Sequence, residues 1–573
     1  MVLEHIHSPE DVKALTRAQT ELLCRELHTF LLESVAATGG HLASNLGAVE
    51  LTVAIHRVFD TSRDRLVFDV GHQCYAHKAL TGRMARFPTL RQYGGLSGFP
   101  KPTESVHDAF VAGHASNSVS VALGMARART LLGQDYSVLA LIGDGALSGG
   151  LAYEGLNNAG ASGEPLIVIL NDNGMSISRN VGAVSEHLSQ LHSASLFEDM
   201  GFTYVGPIDG HDEERVEEAL RRAKALARPV LLHVRTVKGK GFPPAEREPD
   251  KWHGVGPFDV ASGAAEPCGE TFSAVFGDEL CRLAAEDRRV CAITAAMCDG
   301  TGLTDFAANY PERFFDVGIA EAQAAAMAAG MAKQGLIPVY AVYSTFLQRA
   351  YDQLLHDTAL SDLHVVFAVD RAGFVGADGE THHGIFDATF LSDIPNMTVL
   401  CPASFAELRA MLRRAVFEIQ GPVAIRYPRG GEEDYHDERS AGAFATLREG
   451  GDLTLCAYGT MISPVLDAAD ILEKQGVSAR VVKVNCISPF VDADVRKTFA
   501  GTKKLIVAEE CASVGCAGQR LAAILTEEGT PLQKLYLCNL GKRFPPHGGA
   551  KQLREAFRLD AASIAAKALE VAR

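Results

Sequence analysis

The chain has no block of lysines and arginines, no Cys-x-x-Cys pair and no apolar run near the length of a membrane span. Each absence excludes something. The 573 residues carry a formal net charge of −16, so no nucleic-acid partner is expected, and any anionic ligand must be met by a few placed arginines. A membrane helix needs roughly 18 or more consecutive apolar residues, so no membrane partner is expected either. The twelve cysteines are scattered, and the closest two, Cys511 and Cys516, lack zinc-site spacing. They read as reduced thiols of a cytoplasmic protein. The opening MVLEHIHSPEDVKAL lacks the basic region and long apolar core of a signal peptide. Ser8-Pro9-Glu10-Asp11 reads as a helix start, with a capping serine, proline at the first helical position and acids in the first turn.

What is present is ordinary for a globular chain: 47% hydrophobic and 22% charged residues. The length exceeds one core and suggests about three or four domains. Apolar runs at Val138–Ile142, Leu166–Leu170, Val230–Val234, Val365–Val369, Leu453–Ala457 and Leu505–Ala508 alternate with helical stretches. That alternation predicts α/β architecture, with parallel sheets and crossover helices. Residues 239–270, rich in Gly and Pro and including Pro267, and residues 430–452, rich in Gly and acids, read as linkers. They divide the chain into domains at 1–260, 270–432 and 450–573.

Asp144 stands in Gly143-Asp-Gly-Ala-Leu-Ser-Gly149, just past the first of these runs. In an open α/β sheet, ligands bind at the carboxyl ends of the strands. GDG alone is also compatible with a plain tight turn. The next run, PLIVIL, ends in Asn171-Asp-Asn-Gly-Met175, which places Asn173 29 positions after Asp144. A carboxylate and an amide oxygen on neighbouring strand ends suit Mg²⁺, which takes few protein ligands and completes its shell with water and phosphates. The glycines leave backbone N–H groups open to a phosphate. The pair therefore points to a diphosphate–Mg²⁺ site.

GDG…NDN at this spacing resembles the thiamine diphosphate signature. The likeness extends along the chain through GGHLASNLG (39–47), DVGHQ (69–73), GHAS (113–116), DVGIAE (316–321), YSTFLQRAYD (343–352), DRAG (370–373), GADGETH (376–382) and RYPRG (426–430). Together these motifs resemble the 1-deoxy-D-xylulose-5-phosphate synthase family of the transketolase superfamily, and YSTFLQRAYDQLLHD is the most specific of them.

The resemblance implies two thiamine-diphosphate-binding, doubly wound parallel-sheet domains followed by a transketolase C-terminal-like α/β domain. It implies thiamine diphosphate and Mg²⁺ as cofactors, pyruvate and D-glyceraldehyde 3-phosphate as substrates, and a homodimer. Asp144, Asn173 and the Met175 carbonyl carry over as metal ligands. His72, Gly113, His114, Ala115, Gly145, Ala146, Phe242 and Phe346 carry over as cofactor-binding residues. Glu321 matches the glutamate that activates the cofactor's pyrimidine. By its position before an Ala-rich helix (322–332), it could equally be an acid satisfying the helix dipole. Ala322-Gln323 follows it where the family commonly has Gln-His. Tyr343, Arg349, Arg371 and Arg429 match substrate-binding positions, the arginines suiting a phosphate. His41 and His382 match active-site histidines suited to proton transfer near neutral pH. Asp378, four residues before His382, is expected to interact with it or with substrate, and His383 reads as an exposed neighbour.

The stretch from Ser185 through Gln190–Ser193 to Asp199 lacks most of an insertion that the family usually carries there, which implies a more open site. Two rival readings stay open: a transketolase moving a two-carbon ketol unit without CO₂ release, and a non-catalytic paralogue acting as a scaffold.

Overall fold

Uninterrupted apolar runs become strands covered on both faces. The structure, a computed structural model, describes residues 1–189, 194–264, 269–527 and 532–573. The chain divides into two units, residues 1–267 with 318–320, and 268–317 with 321–573. The first unit holds β1 (Arg65–Phe68), β2 (Val138–Gly143), β3 (Ile167–Asp172), β4 (Thr203–Asp209) and β5 (Val230–Arg235). They form one parallel sheet in the order β1-β2-β3-β5-β4. Leu139 and Leu141 of β2 enter one core, whereas Val138, Ala140 and Ile142 enter another. Both faces are thus buried, which explains why these strands read as continuous rather than alternating apolar runs.

The second unit holds β6 (Val290–Thr294), β7 (Phe314–Asp316), β8 (Ile337–Tyr343), β9 (Val366–Asp370), β10 (Thr398–Leu400) and β11 (Val423–Arg426). It continues with β12 (Phe444–Arg448), β13 (Leu453–Ala457), β14 (Ala479–Val484), β15 (Cys486–Ser488), β16 (Lys504–Ala508) and β17 (Lys534–Cys538). One sheet runs β15-β10-β11-β9-β8-β6-β7 and the other β12-β14-β13-β16-β17. All pairings are parallel except β10 with β15 and β12 with β14. Strand β15 comes from the third sequence segment yet extends the second sheet, and one apolar core (Val342, Val369, Val482, Val507) serves both sheets.

The predicted strands form within a residue or two of their expected ends. The N-terminal helix starts as expected: Ser8 caps Pro9–Lys13, and the Ser8 N–H donates to Asp11 Oδ2 at 2.9 Å. Neither predicted linker is only a linker. Within 239–270, Pro243–Arg247 is helical and Trp252 and Phe258 are buried in the first unit's core; Pro267 lies outside the described residues. Within 430–452 lies β12, an edge strand whose residues are all half-buried, which is why no apolar alternation marks it.

Candidate active site

The register of β2 on β3 pairs Gly143 with Asn171, so the loops after both strands start side by side. Asp144 opens the short helix Asp144–Leu147 and is buried. Its Oδ2 accepts from the Gly174 N–H at 2.6 Å and from Asn180 Nδ2 at 2.8 Å. Its Oδ1 is buried without a hydrogen-bond donor. Burial, followed by the neighbouring Asp172 charge, pushes the Asp144 carboxyl up to about 8. Burial is the largest influence on Asp172 and raises it, but His233 Nε2, 2.8 Å from its Oδ2, together with Asp144 and the Gly174 N–H, holds Asp172 below the usual range. Two carboxylates thus face each other, one with a bare oxygen, an arrangement that a cation relieves.

Asn173 Oδ1 accepts from the Met175 N–H at 3.1 Å, which fixes the turn bearing the Met175 carbonyl. Gly145 must be glycine, since a Cβ there would stand 2.7 Å from Ser176 Cβ. Among the described residues no group of three His, Cys, Asp or Glu side chains could hold a metal. Asp144, Asn173 and a carbonyl make an open donor set of the kind Mg²⁺ shares with phosphates. The residues present fit a Mg²⁺-diphosphate.

The predicted cofactor loops are tied together. Asp69, just past β1, accepts from the Ser116 N–H at 2.6 Å and the Ser118 N–H at 3.0 Å, which holds Gly113-His-Ala115. Ser116 Oγ donates to the Ala146 carbonyl at 2.7 Å. His41 and His72 lie with ring centroids 5.5 Å apart, and His253 packs on both, at 5.5 and 5.1 Å. Arg91 Nη1 is 3.3 Å from His41 Nδ1. Phe242 is buried edge-on to Trp252, centroids 5.0 Å apart.

In the second unit Glu321 is the first residue of the helix Glu321–Lys333 and is buried. Burial raises its carboxyl above the ordinary value, and the Arg349 guanidinium, Nη1 3.8 Å from Oε2, opposes this. Arg371, past the end of β9, lies over the Tyr343 ring at 3.6 Å and donates to the Gly300 carbonyl at 2.9 Å. Tyr343 stacks on Phe346, centroids 5.6 Å apart, and Phe346 meets His382 edge-on at 5.5 Å. Arg429 Nη1 donates to the Val375 carbonyl at 3.0 Å and lies 3.4 Å from Asp378 Oδ2. Asp378 is therefore paired with Arg429, and His382 Nδ1 lies 2.8 Å from Thr381 Oγ1.

One expectation is corrected. His383 is not exposed: its Nδ1 accepts from the Val375 N–H and its Nε2 donates to the Pro546 carbonyl, both at 3.1 Å, and it is 2% exposed. Burial keeps it below its ordinary pKa and neutral. It is a strut of the loop that carries Asp378 and His382.

The arrangement can bind an anion and a divalent cation in the first unit. In the second it offers a buried acid beside Arg349, together with Arg371, Arg429 and His382. The motif reading did not single out Asp69, His253, Arg91 or Lys238. Asp69 stood inside the quoted DVGHQ. His253 reaches His41 because residues 252–255 pair with 40–43 through long-range backbone bonds that local patterns do not reveal. Lys238 is buried, its Nζ donates to the Ser176 carbonyl, and burial lowers it to about 8 although the Asp144 charge opposes this.

Residues 3–196 and 190–236 match the family model for 1-deoxy-D-xylulose-5-phosphate synthase. Residues 270–431 match the transketolase pyrimidine-binding domain, and 442–564 the transketolase C-terminal domain. A Geobacter sulfurreducens protein named 1-deoxy-D-xylulose-5-phosphate synthase 1 is 46% identical over 615 aligned residues, covering 99% of this chain and 96% of that one. Similarly named proteins from Natranaerobius thermophilus (44%, 99% and 98% covered) and Clostridium kluyveri (45%, 100% and 99%) align over 618 and 620 residues. These alignments exceed 573 residues, so the relatives carry segments that this chain lacks. The first family model matches as two stretches that overlap at 190–196, within the region where a shortened insertion is expected; residues 190–193 lie outside the described residues.

Proposed function

The chain belongs to the 1-deoxy-D-xylulose-5-phosphate synthase family, and from that premise we propose how its own residues perform the reaction. The enzyme is a thiamine diphosphate- and Mg²⁺-dependent transferase. It cleaves the C1–C2 bond of pyruvate and joins the remaining two-carbon unit to the aldehyde carbon of D-glyceraldehyde 3-phosphate. One proton is taken up, and CO₂ and 1-deoxy-D-xylulose 5-phosphate are released.

Thiamine diphosphate, when bound, supplies the nucleophilic carbon and the electron sink that this cleavage needs. Asp144, Asn173 and the Met175 carbonyl would hold Mg²⁺ on the diphosphate. His72, Gly113, His114, Ala115, Gly145 and Ala146 would line the cofactor in the first unit, with Phe242 supporting them from its aromatic cluster. Glu321 would hold a proton at the pyrimidine N1′, a task favoured by its burial, since a hydrogen bond is stronger where water is excluded. Phe346 would pack against the cofactor. Arg371 and Arg429 would bind the acceptor phosphate, with Tyr343 and Asp378 holding those guanidiniums in place. Arg349 would serve the substrate side of Glu321. His41 and His382 would carry the proton to the oxygen of the former aldehyde.

The single observation that carries this reading is Asp144: a buried carboxylate with a donor-less oxygen, at a strand end, facing a second carboxylate. We further infer a homodimer in the cytoplasm. The described cysteines are all free, which supports a reducing compartment, and among the described residues no helix is long and apolar enough to cross a membrane.

The test is CO₂ release from pyruvate with thiamine diphosphate and Mg²⁺, with and without D-glyceraldehyde 3-phosphate, with the sugar identified in the same tube. Acceptor-stimulated CO₂ together with the deoxyketose phosphate is expected. Ketol transfer from xylulose 5-phosphate without CO₂ would overturn the reading.

A further inference from the structure

Asn45 is fully buried in the short helix Ala43–Leu46, which follows His41. Its Nδ2 donates to two backbone carbonyls, that of His41 and that of His72, both at 2.7 Å. Its Oδ1 accepts from the Tyr75 N–H, also at 2.7 Å. Tyr75 is fully buried too, and its hydroxyl accepts from the His41 N–H at 3.3 Å. Both backbone groups of His41 are therefore held by side chains, one from Asn45 and one from Tyr75, and the two clamping residues are bonded to each other. The amide uses both of its protons on the carbonyls of the two histidines, whose rings lie 5.5 Å apart.

An amide that only stabilised its own short helix would have no need to reach the His72 carbonyl, 27 positions away, as well as that of His41. We propose that Asn45 and Tyr75 are positioning residues that fix the spacing of His41 and His72 in the active site. The inference rests on the functional reading of those histidines given above. Asn45 is suited to the task because a short amide carries two donors and one acceptor in one plane. Aspartate, with the same shape, has no N–H for either carbonyl. A carbonyl left bare in a buried place loosens the segment that bears it, and a displacement of about 1 Å at a reacting group can cost on the order of a hundredfold in rate.

The test compares Tyr75→Phe, Asn45→Asp and the double variant with the wild-type full-length chain. Tyr75→Phe keeps the volume and the Oδ1 contact and removes only the hydroxyl, so it remains informative if Asn45→Asp fails to fold. Three quantities are read: kcat and KM for pyruvate, thiamine diphosphate affinity from the fluorescence of Trp252, the chain's one tryptophan, and the melting temperature of the cofactor-free chain. Positioning predicts that kcat falls at least about fivefold in Tyr75→Phe and about tenfold or more in Asn45→Asp. It also predicts a shift of the pH–kcat profile, and losses in the double variant smaller than the product of the single losses, because the two residues act as one clamp. A lower melting temperature with kcat and pH profile unchanged would overturn the clamp. An inactive wild-type chain would contradict the functional reading instead, so the two failures are distinguishable.

Discussion

The Arg371 guanidinium carbon lies over the Tyr343 ring, 3.6 Å from its centre, while Nη1 donates to the Gly300 carbonyl. Stacking and hydrogen bond together fix an arginine whose own backbone has φ +61°, a conformation rare outside glycine. Its fork is thus preset before any phosphate arrives.

Gly300→Ala tests this arrangement. The added Cβ would stand 1.9 Å from the Tyr343 hydroxyl, so Tyr343 must move and Arg371 with it. The KM for D-glyceraldehyde 3-phosphate is expected to rise about tenfold or more, equivalent to roughly 1.4 kcal/mol, and by more than thiamine diphosphate affinity falls, since Tyr343 reaches the cofactor side only through Phe346. An unchanged KM would detach Arg371 from the acceptor.

Arg349 separates two roles. Its distance of 3.8 Å from Glu321 predicts that it acts on the acid rather than on the acceptor phosphate. Arg349→Met is expected to carry the pH dependence of acceptor-free CO₂ release from pyruvate to higher pH, since the guanidinium is the charge that holds the buried Glu321 carboxyl down. A rise confined to the acceptor KM would return Arg349 to the phosphate site.

A buried chain of groups in the first unit sets a pH limit. His56 Nε2 donates to His77 Nδ1 at 2.9 Å, His77 Nε2 to Asp108 Oδ1 at 3.0 Å, and Arg83 makes two bonds of 2.8 Å to the same carboxylate. Burial lowers His77 to about 4 and holds His56 well below its ordinary value too. An unfolded histidine titrates near 6.5, so between about 6.5 and 4 the unfolded chain binds protons that the folded one refuses. Stability is therefore intact above pH about 6.5 and is lost as pH falls through 4, by roughly 3 kcal/mol for His77 at about 1.4 kcal/mol per pH unit. Urea midpoints from pH 7.5 to 4.5 check this: they should fall, and the fall should shrink in His77→Gln.

Much of this was legible from the residues. The strands buried on both faces announce themselves as unbroken apolar runs, and Asp144 and Asn173 are marked by glycines at strand ends. Strand β12 was hidden because an edge strand need not alternate, and β15 because three residues joining another segment's sheet leave no local pattern. His383 looked exposed in a polar loop, whereas long-range partners at Val375 and Pro546 bury it. Asn45 was visible as a residue, but its two carbonyl partners are not, since tertiary contacts rather than spacing bring them together.

The most direct test is calorimetric titration of thiamine diphosphate, with and without Mg²⁺, into the wild-type chain and into Asp144→Asn. In the variant an amide N–H replaces the donor-less oxygen beside Asp172. The cofactor-free variant should therefore melt about 2–4 °C higher, while Mg²⁺-dependent affinity should fall about a hundredfold or more. Equal affinity in the two proteins, or binding by the wild type that ignores Mg²⁺, would contradict the assignment of Asp144 as the metal ligand.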